Sequence, residues 1–253
     1  MKKIFIAFTI LAWAALASAA APTGSLLDGV KPGADGRIDV LTIFPHQDDE
    51  TIFVGGTILA LKQDPRVRVH IMCLTLGDKS RANKILHITP DFQGKVRSRE
   101  LRAAAAVLGA DEVIQLDYHD QGLPGADQKE LYAQIADALA KTNAEVVITY
   151  GPEGITGHMD HKAGSKAVTE VFKTGPAQKL YYVSMPRWVH ALAFPGVKLP
   201  VAPTVKVDIR PYKELKLLAM DEHATQKWWA GLFQQMTMEN EFNDEYFALA
   251  LSK

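Results

Sequence analysis

Short apolar runs alternate along the chain with longer amphipathic stretches. Runs rich in Val, Ile and Leu predict strands, and a helical period between them predicts helices. The predicted strands are Ile38–Phe44, Arg66–Leu74, Glu112–Leu116, Glu145–Tyr150, Leu180–Met185 and Val205–Ile209. The predicted helices are Glu50–Lys62, Phe92–Leu108, Gln128–Lys141, His161–Phe172 and Tyr212–Lys227.

This alternation determines the expected fold class. Near-continuous apolar strands separated by helices are typical of a mostly parallel sheet with helices on both faces. We therefore predict an α/β fold, a Rossmann-like three-layer sandwich. Residues 22–253 are expected to form a single domain with a core of about 38–185 and a C-terminal extension of 186–253.

The extension has a less regular pattern than the core. Pro186–Pro203 has no clean period and is interrupted by prolines, which predicts a loop or short hairpin, with a lid as one role for it. The aromatic-rich stretch Trp228–Leu251 is expected to contribute packing or the rim of a substrate site.

The N-terminus has the pattern of a secretory signal peptide, residues 1–21. Lys2 and Lys3 precede a short apolar core, and small residues close it at Ala17–Ala21. The apolar part is shorter than the roughly 20 residues that span a bilayer, so no stable membrane span is expected after cleavage. The mature protein is therefore expected to be exported, either periplasmic or secreted.

Charge and cysteine content exclude several classes of protein. The chain carries 28 basic and 29 acidic side chains, a formal net charge of −1. Such a balance lacks the basic excess of nucleic-acid binders, so no nucleic-acid partner is expected. The lone Cys73 lies in a predicted strand and excludes an internal disulfide and a thiolate metal cluster. The oligomeric state stays open.

Two polar clusters follow predicted strands. Pro45-His46-Gln47-Asp48-Asp49-Glu50 comes after the first strand, and Gly157-His158-Met159-Asp160-His161 comes after the fourth. Ligands of open parallel sheets collect at the carboxyl ends of the strands. The two clusters could therefore converge on one site.

Residue spacing indicates a metal. His46 and Asp49 are three residues apart where a loop becomes a helix, which places both side chains on one face. Zinc binds imidazole nitrogen and carboxylate oxygen, and catalytic zinc sites use three protein ligands. His46, Asp49 and His161 would supply such a set. Each cluster alone also has a simpler interpretation, namely an acidic helix N-cap or surface histidines.

The two clusters together resemble the signatures of the PIG-L or LmbE-like family of zinc-dependent N-deacetylases, whose usual forms are P/A-H-P-D-D-E and G-H-P-D-H. Arg97-Ser98-Arg99-Glu100-Leu101 resembles a third family element, R-x-x-E-L, and Asp120-Gln121-Gly122-Leu123 supports the match. Gln47 and Met159 replace the prolines of the family pattern, and Thr156 stands where the family often has tyrosine.

The resemblance implies a role for each matching residue. His46, Asp49 and His161 hold Zn²⁺, and Asp48 takes a proton from the attacking water as general base. His158 stabilises the oxyanion or protonates the leaving amine. Asp160 holds the imidazole of His158 in one tautomer and raises its pKa.

Other polar residues have less definite roles. Arg97 and Asp120 are expected to bind substrate, with pairing to Glu100 as the alternative for Arg97 and a turn-forming role as the alternative for Asp120. Surface or packing roles are expected for His119, His190 and His223, which lie in no motif.

The functional hypothesis is an enzyme, a zinc-dependent deacetylase. It would remove the acetyl group from an N-acetylated amino sugar, either a small molecule or a glycoconjugate, and release acetate and a free amine. One alternative is a metal-dependent hydrolase of another bond, such as a conjugate amide or a phosphoester. A non-catalytic sugar-binding protein is a third.

Overall fold

One seven-stranded sheet organises the computed structural model, which describes residues 24–238 and 243–253. The predicted signal peptide, residues 1–21, lies outside the described residues. The strands are β1 (Ile38–Phe44), β2 (Val67–Thr75), β3 (Glu112–Tyr118), β4 (Val146–Tyr150), β5 (Lys179–Ser184), β6 (Val205–Asp208) and β7 (Asp244–Ser252).

Eight α-helices connect or follow the strands within these residues. They are α1 (Asp49–Leu61), α2 (Ala82–Leu86), α3 (Pro90–Leu108), α4 (Gln128–Thr142), α5 (Met159–Thr174), α6 (Arg187–Ala193), α7 (Lys213–Glu222) and α8 (Lys227–Met238). No helix among the described residues is both long enough and apolar enough to cross a membrane.

The strands follow the order β3-β2-β1-β4-β5-β7-β6. Strands β1 to β5 run parallel, and β7 is antiparallel to both of its neighbours. The chain winds outward from β1 in one direction and from β4 in the other. A crevice therefore opens between the carboxyl ends of β1 and β4, the usual position of a ligand site in such sheets.

Helices cover both faces of the sheet, which gives the three layers. Val40 and Phe44 of β1 belong to a buried apolar cluster with residues of α1, α3 and α7. Leu41 and Ile43 belong to a second cluster with residues of α4 and α5. Successive strand residues point to opposite faces, so a strand buried on both faces reads as a continuous apolar run.

The predicted α/β sandwich with a mostly parallel sheet is confirmed, and β1 has the predicted bounds. The differences are concentrated after residue 185. Pro186–Pro203 contains α6 rather than a hairpin, and α7 ends at Glu222, before the predicted end at Lys227. The stretch expected to provide packing or a rim contains β7, a strand within the sheet. Its aromatic composition obscured the alternation of Ala248 and Ala250 with the larger Phe247, Leu249 and Leu251.

A buried ion pair joins this C-terminal part to α1. The Lys216 ammonium donates to the Glu245 carboxylate (2.7 Å) and to the carbonyl of Ile52 (2.8 Å). The backbone N–H groups of Gly56 and Thr57 donate to the same carboxylate at 3.0 and 2.7 Å. The pair thus supplies partners to backbone groups in the middle of α1, the helix that begins with Asp49.

Candidate active site

Two loops form the candidate site at the crevice between β1 and β4. The first joins β1 to α1 and contains His46 and Asp48, with Asp49 as the first residue of α1. The second joins β4 to α5 and contains His158. His161 lies in the first turn of α5. The structure therefore brings together the two clusters that the sequence separates by more than 100 residues.

Asp48 has an unusual backbone conformation. Its φ of 107° lies in the left-handed region, where L-residues other than glycine are rare and strained. Three contacts hold it: its N–H donates to Glu50 Oε2 (3.1 Å), its carbonyl accepts from the Thr51 hydroxyl (2.8 Å), and its carboxylate accepts from Arg97 (3.2 Å). Strained backbone of this kind clusters at functional sites.

The predicted metal ligands face one another. His46 Nδ1 lies 3.2 Å from His161 Nε2, and one oxygen of Asp49 lies 3.7 Å from His46 Nδ1 while the other lies 3.5 Å from His161 Nε2. In a tetrahedral zinc site, bonds of about 2.0–2.1 Å place neighbouring donor atoms roughly 3.3 Å apart. The separation of the two imidazole nitrogens is close to that spacing, and the Asp49 carboxylate lies near both, with a different oxygen next to each.

The partners of each imidazole determine which nitrogen is free. His161 Nδ1 lies 2.9 Å from the carbonyl of Gly154, which can only accept, so Nδ1 carries the proton. His46 Nε2 lies 3.2 Å from carboxylates of both Asp120 and Asp160, so Nε2 carries the proton. His46 Nδ1, His161 Nε2 and the Asp49 carboxylate then face one another, so either a metal ion or a second proton on His46 would lie between them.

The electrostatics of this point favour positive charge. Burial lowers the pKa of His46, but its hydrogen bonds to Asp120 and Asp160 and the charge of Asp49 outweigh burial and raise that pKa to about 10. Burial and the charge of His46 lower the pKa of His161 well below its usual range. Burial raises the pKa of Asp49. A metal ion would provide the charge that these buried carboxylates lack.

Asp160 and Asp120 both orient His46. The fully buried Asp160 carboxylate accepts from the N–H groups of Gln121 (2.6 Å) and Leu123 (3.1 Å) besides His46 Nε2. Asp120, predicted to bind substrate, lines the cleft and contacts the same imidazole nitrogen. Carboxylates in such positions fix the tautomer and raise the basicity of a ligating histidine.

The predicted hydrogen bond between Asp160 and His158 is present but comes from the backbone N–H of Asp160, and the charge of Asp160 raises the His158 pKa by less than other groups lower it. His158 Nδ1 accepts from the backbone N–H of Asp160 (3.2 Å), whereas the Asp160 carboxylate binds His46. The pKa of His158 is lowered rather than raised, because burial and the charge of His46 outweigh the attraction of Asp160 and Asp120. With Nδ1 accepting, the neutral imidazole carries its proton on Nε2 and can donate it.

Arg97 is 2% exposed and contacts the loop of residues 45–48 between β1 and α1, called the base loop because it carries the predicted base Asp48. Its Nη2 donates to the carbonyl of Gln47 and to Asp48 Oδ1, and its Nη1 donates to the carbonyl of Gly77 (3.3 Å). Glu100 does not pair with it but accepts from the N–H and hydroxyl of Thr225. Arg97 also lines the cleft, so the predicted substrate role stays a prediction alongside this contact with Asp48.

Burial raises the pKa of Asp48 to about 7, against the opposing charges of Arg97 and His223. A carboxylate with a pKa near neutrality is matched to general-base chemistry.

Of the three positions that depart from the family pattern, Gln47 and Thr156 form hydrogen bonds and Met159 is exposed. The Gln47 side chain is fully buried and donates to the carbonyl of Thr75 (2.8 Å), so it fixes the loop by a hydrogen bond. Met159 is exposed at the start of α5. The Thr156 hydroxyl lies 3.0 Å from His161 Nδ1 and accepts from the N–H of His158 (3.3 Å).

A cleft of about 570 Å³ opens above these residues. The side chains of both polar clusters lie on its wall together with polar and charged side chains from other segments. It is lined by His46, Asp48, Asp49, Phe53, Lys79, Ser80, Arg81, Arg97, Asp120, Gln121, Thr156, Gly157, His158, His161 and Gln226.

Comparison with known proteins agrees with this geometry. A family model described as PIG-L, GlcNAc-PI de-N-acetylase, matches residues 41–172, just over half of the chain. The matched part includes both polar clusters. The chain belongs to the PIG-L family.

A curated relative in the PIG-L family covers more of the chain. The probable N-acetyl-alpha-D-glucosaminyl L-malate deacetylase 2 of Bacillus anthracis is 34% identical over 191 residues, which are 74% of this chain and 80% of the relative. The family predicted from the motifs is thereby confirmed.

Solved structures share the fold. N,N'-diacetylchitobiose deacetylase from Pyrococcus horikoshii has a TM-score of 0.65 and 22% identity, covering 89% of this chain and 88% of its own. The 4-carboxy-2-hydroxymuconate hydratase GalB from Pseudomonas putida has a TM-score of 0.67 and 17% identity, covering 85% of this chain and 97% of its own. These similarities show a shared fold. One of the two proteins is named as a hydratase and the other as a deacetylase, so the fold does not by itself identify the reaction.

One residue near the site escaped the sequence analysis. His223 lies outside the part that matches the PIG-L family model, in no recognisable motif, yet its Nε2 lies 2.8 Å from Glu50 Oε1. His119 pairs with Asp78 at the surface, and His190 is buried against the carbonyl of Ile155. No local pattern distinguishes His223 from these two histidines.

Proposed function

We propose that this protein is a zinc-dependent N-deacetylase that hydrolyses the acetamido group of an N-acetylglucosamine-type sugar or glycoconjugate, with release of acetate and a free amine. The observation that carries the proposal is the close approach of two imidazoles and one carboxylate, from His46, His161 and Asp49, with Asp48 next to Asp49 in the chain. Membership of the PIG-L family and the curated relative support the amide chemistry.

Zinc is favoured by the donor set. Two imidazole nitrogens and one carboxylate are a ligand combination of catalytic zinc sites that leave one position for water or substrate. The buried Asp120 and Asp160 carboxylates behind His46 add the outer contacts that such sites use. When bound, zinc lowers the pKa of water and polarises a carbonyl.

Asp48 is the proposed general base. Its carboxylate is held by Arg97 next to the ligand Asp49, and it accepts the proton of the water that attacks the acetyl carbon. Because its own pKa is raised to about 7, it can accept a proton and release it again near neutral pH.

His158, which lines the same cleft as Asp48, is the proposed hydrogen-bond and proton donor. Its Nδ1 is occupied by the N–H of Asp160, so Nε2–H is the group it can offer to the developing oxyanion or to the leaving nitrogen. Its lowered pKa keeps the imidazole neutral in the free enzyme. A neutral imidazole can donate a hydrogen bond to the oxyanion. Because it carries no positive charge, it does not repel a metal ion bound by His46, Asp49 and His161.

The cleft suits a hydroxyl-rich substrate. Asp120, Gln121 and Arg97 line its wall, and hydrogen-bonding groups of this kind recognise sugar hydroxyls. The malate deacetylase relative is named for an N-acetylglucosaminyl substrate, which supports an amino sugar here. We also propose export of the mature protein, because residues 1–21 have the composition of a signal peptide.

The decisive experiment measures acetate and free amine from N-acetylglucosamine derivatives with the zinc-loaded protein and with Asp48→Asn. Asparagine tolerates the left-handed backbone but cannot accept the proton, so kcat should fall by about 10²–10⁴-fold with the zinc content unchanged. Full activity of the variant would exclude Asp48 as base. Release of a different carboxylate, with none of the acetate, would favour the hydrolase of another amide.

A further inference from the structure

A buried histidine contacts the base loop from the C-terminal part of the chain. His223 Nε2 and Glu50 Oε1 are 2.8 Å apart, and their side chains are 0% and 1% exposed. His223 directly follows α7, which packs against α1 and α3. The next turn is fixed because Thr225 donates its N–H (2.9 Å) and its hydroxyl (2.7 Å) to Glu100 of α3.

The second oxygen of Glu50 contacts the proposed base. Glu50 Oε2 accepts the backbone N–H of Asp48 at 3.1 Å. Asp48 has a φ of 107°, and a non-glycine residue in such a region costs about 1–3 kcal/mol unless its surroundings hold it. A carboxylate that accepts from Asp48 with one oxygen and from His223 with the other links the two residues directly.

We infer that His223 is a positioning residue for the base: through Glu50 it holds the strained backbone of Asp48 and so aims the Asp48 carboxylate at the reaction centre. The role of Asp48 as base rests on the proposed function. His223 lies outside residues 41–172, the part of the chain that matches the PIG-L family model. The contact therefore comes from the C-terminal part of the chain.

The physical reason is the cost of an unpaired buried carboxylate. Glu50 lies beside Asp48 and Asp49, all three nearly inaccessible to solvent. If His223 no longer donated to Glu50, the carboxylate would turn toward another donor. That movement weakens its acceptance of the Asp48 N–H, and the strained backbone would relax. A displacement of about 1 Å at a reacting group can cost as much as 100-fold in rate.

The test compares His223→Ala with His223→Gln in the zinc-loaded full-length protein. Glutamine places an N–H donor close to the position of the imidazole Nε2, and alanine does not. We expect kcat to fall by about 10- to 100-fold in His223→Ala, with KM and zinc content unchanged, and to recover largely in His223→Gln.

His70→Ala is a matched control. His70 is also a buried histidine paired with a carboxylate, Asp39, at 2.7 Å. Asp39 is the second residue of β1, at the amino end of the strand, whereas the site lies at the carboxyl end. His70→Ala should lower stability without changing kcat. A crystal structure of His223→Ala should show Asp48 outside the left-handed region.

Each outcome decides the inference. A wild-type kcat in His223→Ala, or equal losses in the alanine and glutamine variants, would overturn it. If His223→Ala does not fold, Glu50→Gln tests the same contacts, because its NH2 group replaces one of the two oxygens that accept from the Asp48 N–H and from His223 Nε2. An unchanged kcat in that variant would overturn the inference. If the wild type deacetylates nothing, the proposed function fails, and the conformation of Asp48 in the variant still decides the positioning role.

Discussion

Glu50 and His223 are separated by 173 residues along the chain, and their side chains meet at 2.8 Å in a fully buried pair. This contact helps to explain how three consecutive carboxylates can be buried together. Arg97 contacts Asp48, His223 contacts Glu50, and Asp49 faces the nitrogens of His46 and His161 where a metal would bind. Each carboxylate thus has its own source of positive charge or of hydrogen-bond donors.

Removal of the metal should affect both stability and activity. A chelator is expected to abolish deacetylation and to lower the melting temperature, because a ligand present at 100 times its Kd stabilises the folded state by about 2.7 kcal/mol. Zinc should restore both, as measured by thermal unfolding and metal analysis. His161→Gln should show no zinc-dependent change in melting temperature, and a response equal to that of the wild type would exclude His161 as a ligand.

Asp160→Asn should weaken metal binding. The variant loses the carboxylate charge behind His46 Nε2, and losses of such outer contacts typically cost about 10- to 100-fold in metal affinity. Competition with a chromophoric chelator measures this affinity. Asp137→Asn, an exposed position on α4, is the control. An unchanged metal affinity with a reduced kcat would instead indicate that Asp160 acts by holding the imidazole of His158.

Arg97→Met distinguishes positioning from substrate binding. The guanidinium donates to Asp48 and to the carbonyl of Gln47, so its removal should lower kcat by about 10-fold or more through a misplaced base. If Arg97 instead acts mainly on the substrate, KM should rise and kcat should change little. Steady-state kinetics on one N-acetylated substrate separates the two results.

Lys216→Met should destabilise the protein. It leaves the Glu245 carboxylate buried without its cation, and breaking a buried ion pair costs about 3–5 kcal/mol. The double variant Lys216→Met with Glu245→Gln should lose less, because the amide is neutral and its oxygen still accepts from one of the two α1 N–H groups. Urea unfolding measures both losses. Equal stability of Lys216→Met and the wild type would show that the pair contributes nothing.

Much of the site was predictable because its chemistry lies in short segments. His46, Asp48 and Asp49 follow a strand directly, and His158 and His161 follow another, so strand ends in a parallel sheet suffice to bring them together. The partners of these residues were less predictable. Whether Asp160 faces His46 or His158 depends on side-chain directions at the start of α5, which residue spacing does not determine.

The alternation of strands and helices, the candidate metal-ligand types and the family were readable from the chain, because all three depend on local order. The place of β7 within the sheet, the contact of Asp160 with His46 and the contact of His223 with Glu50 depend on long-range packing. These contacts join segments far apart in the chain. They form because burial requires every charge near the site to find a partner, and the available partner is set by packing rather than by sequence neighbours.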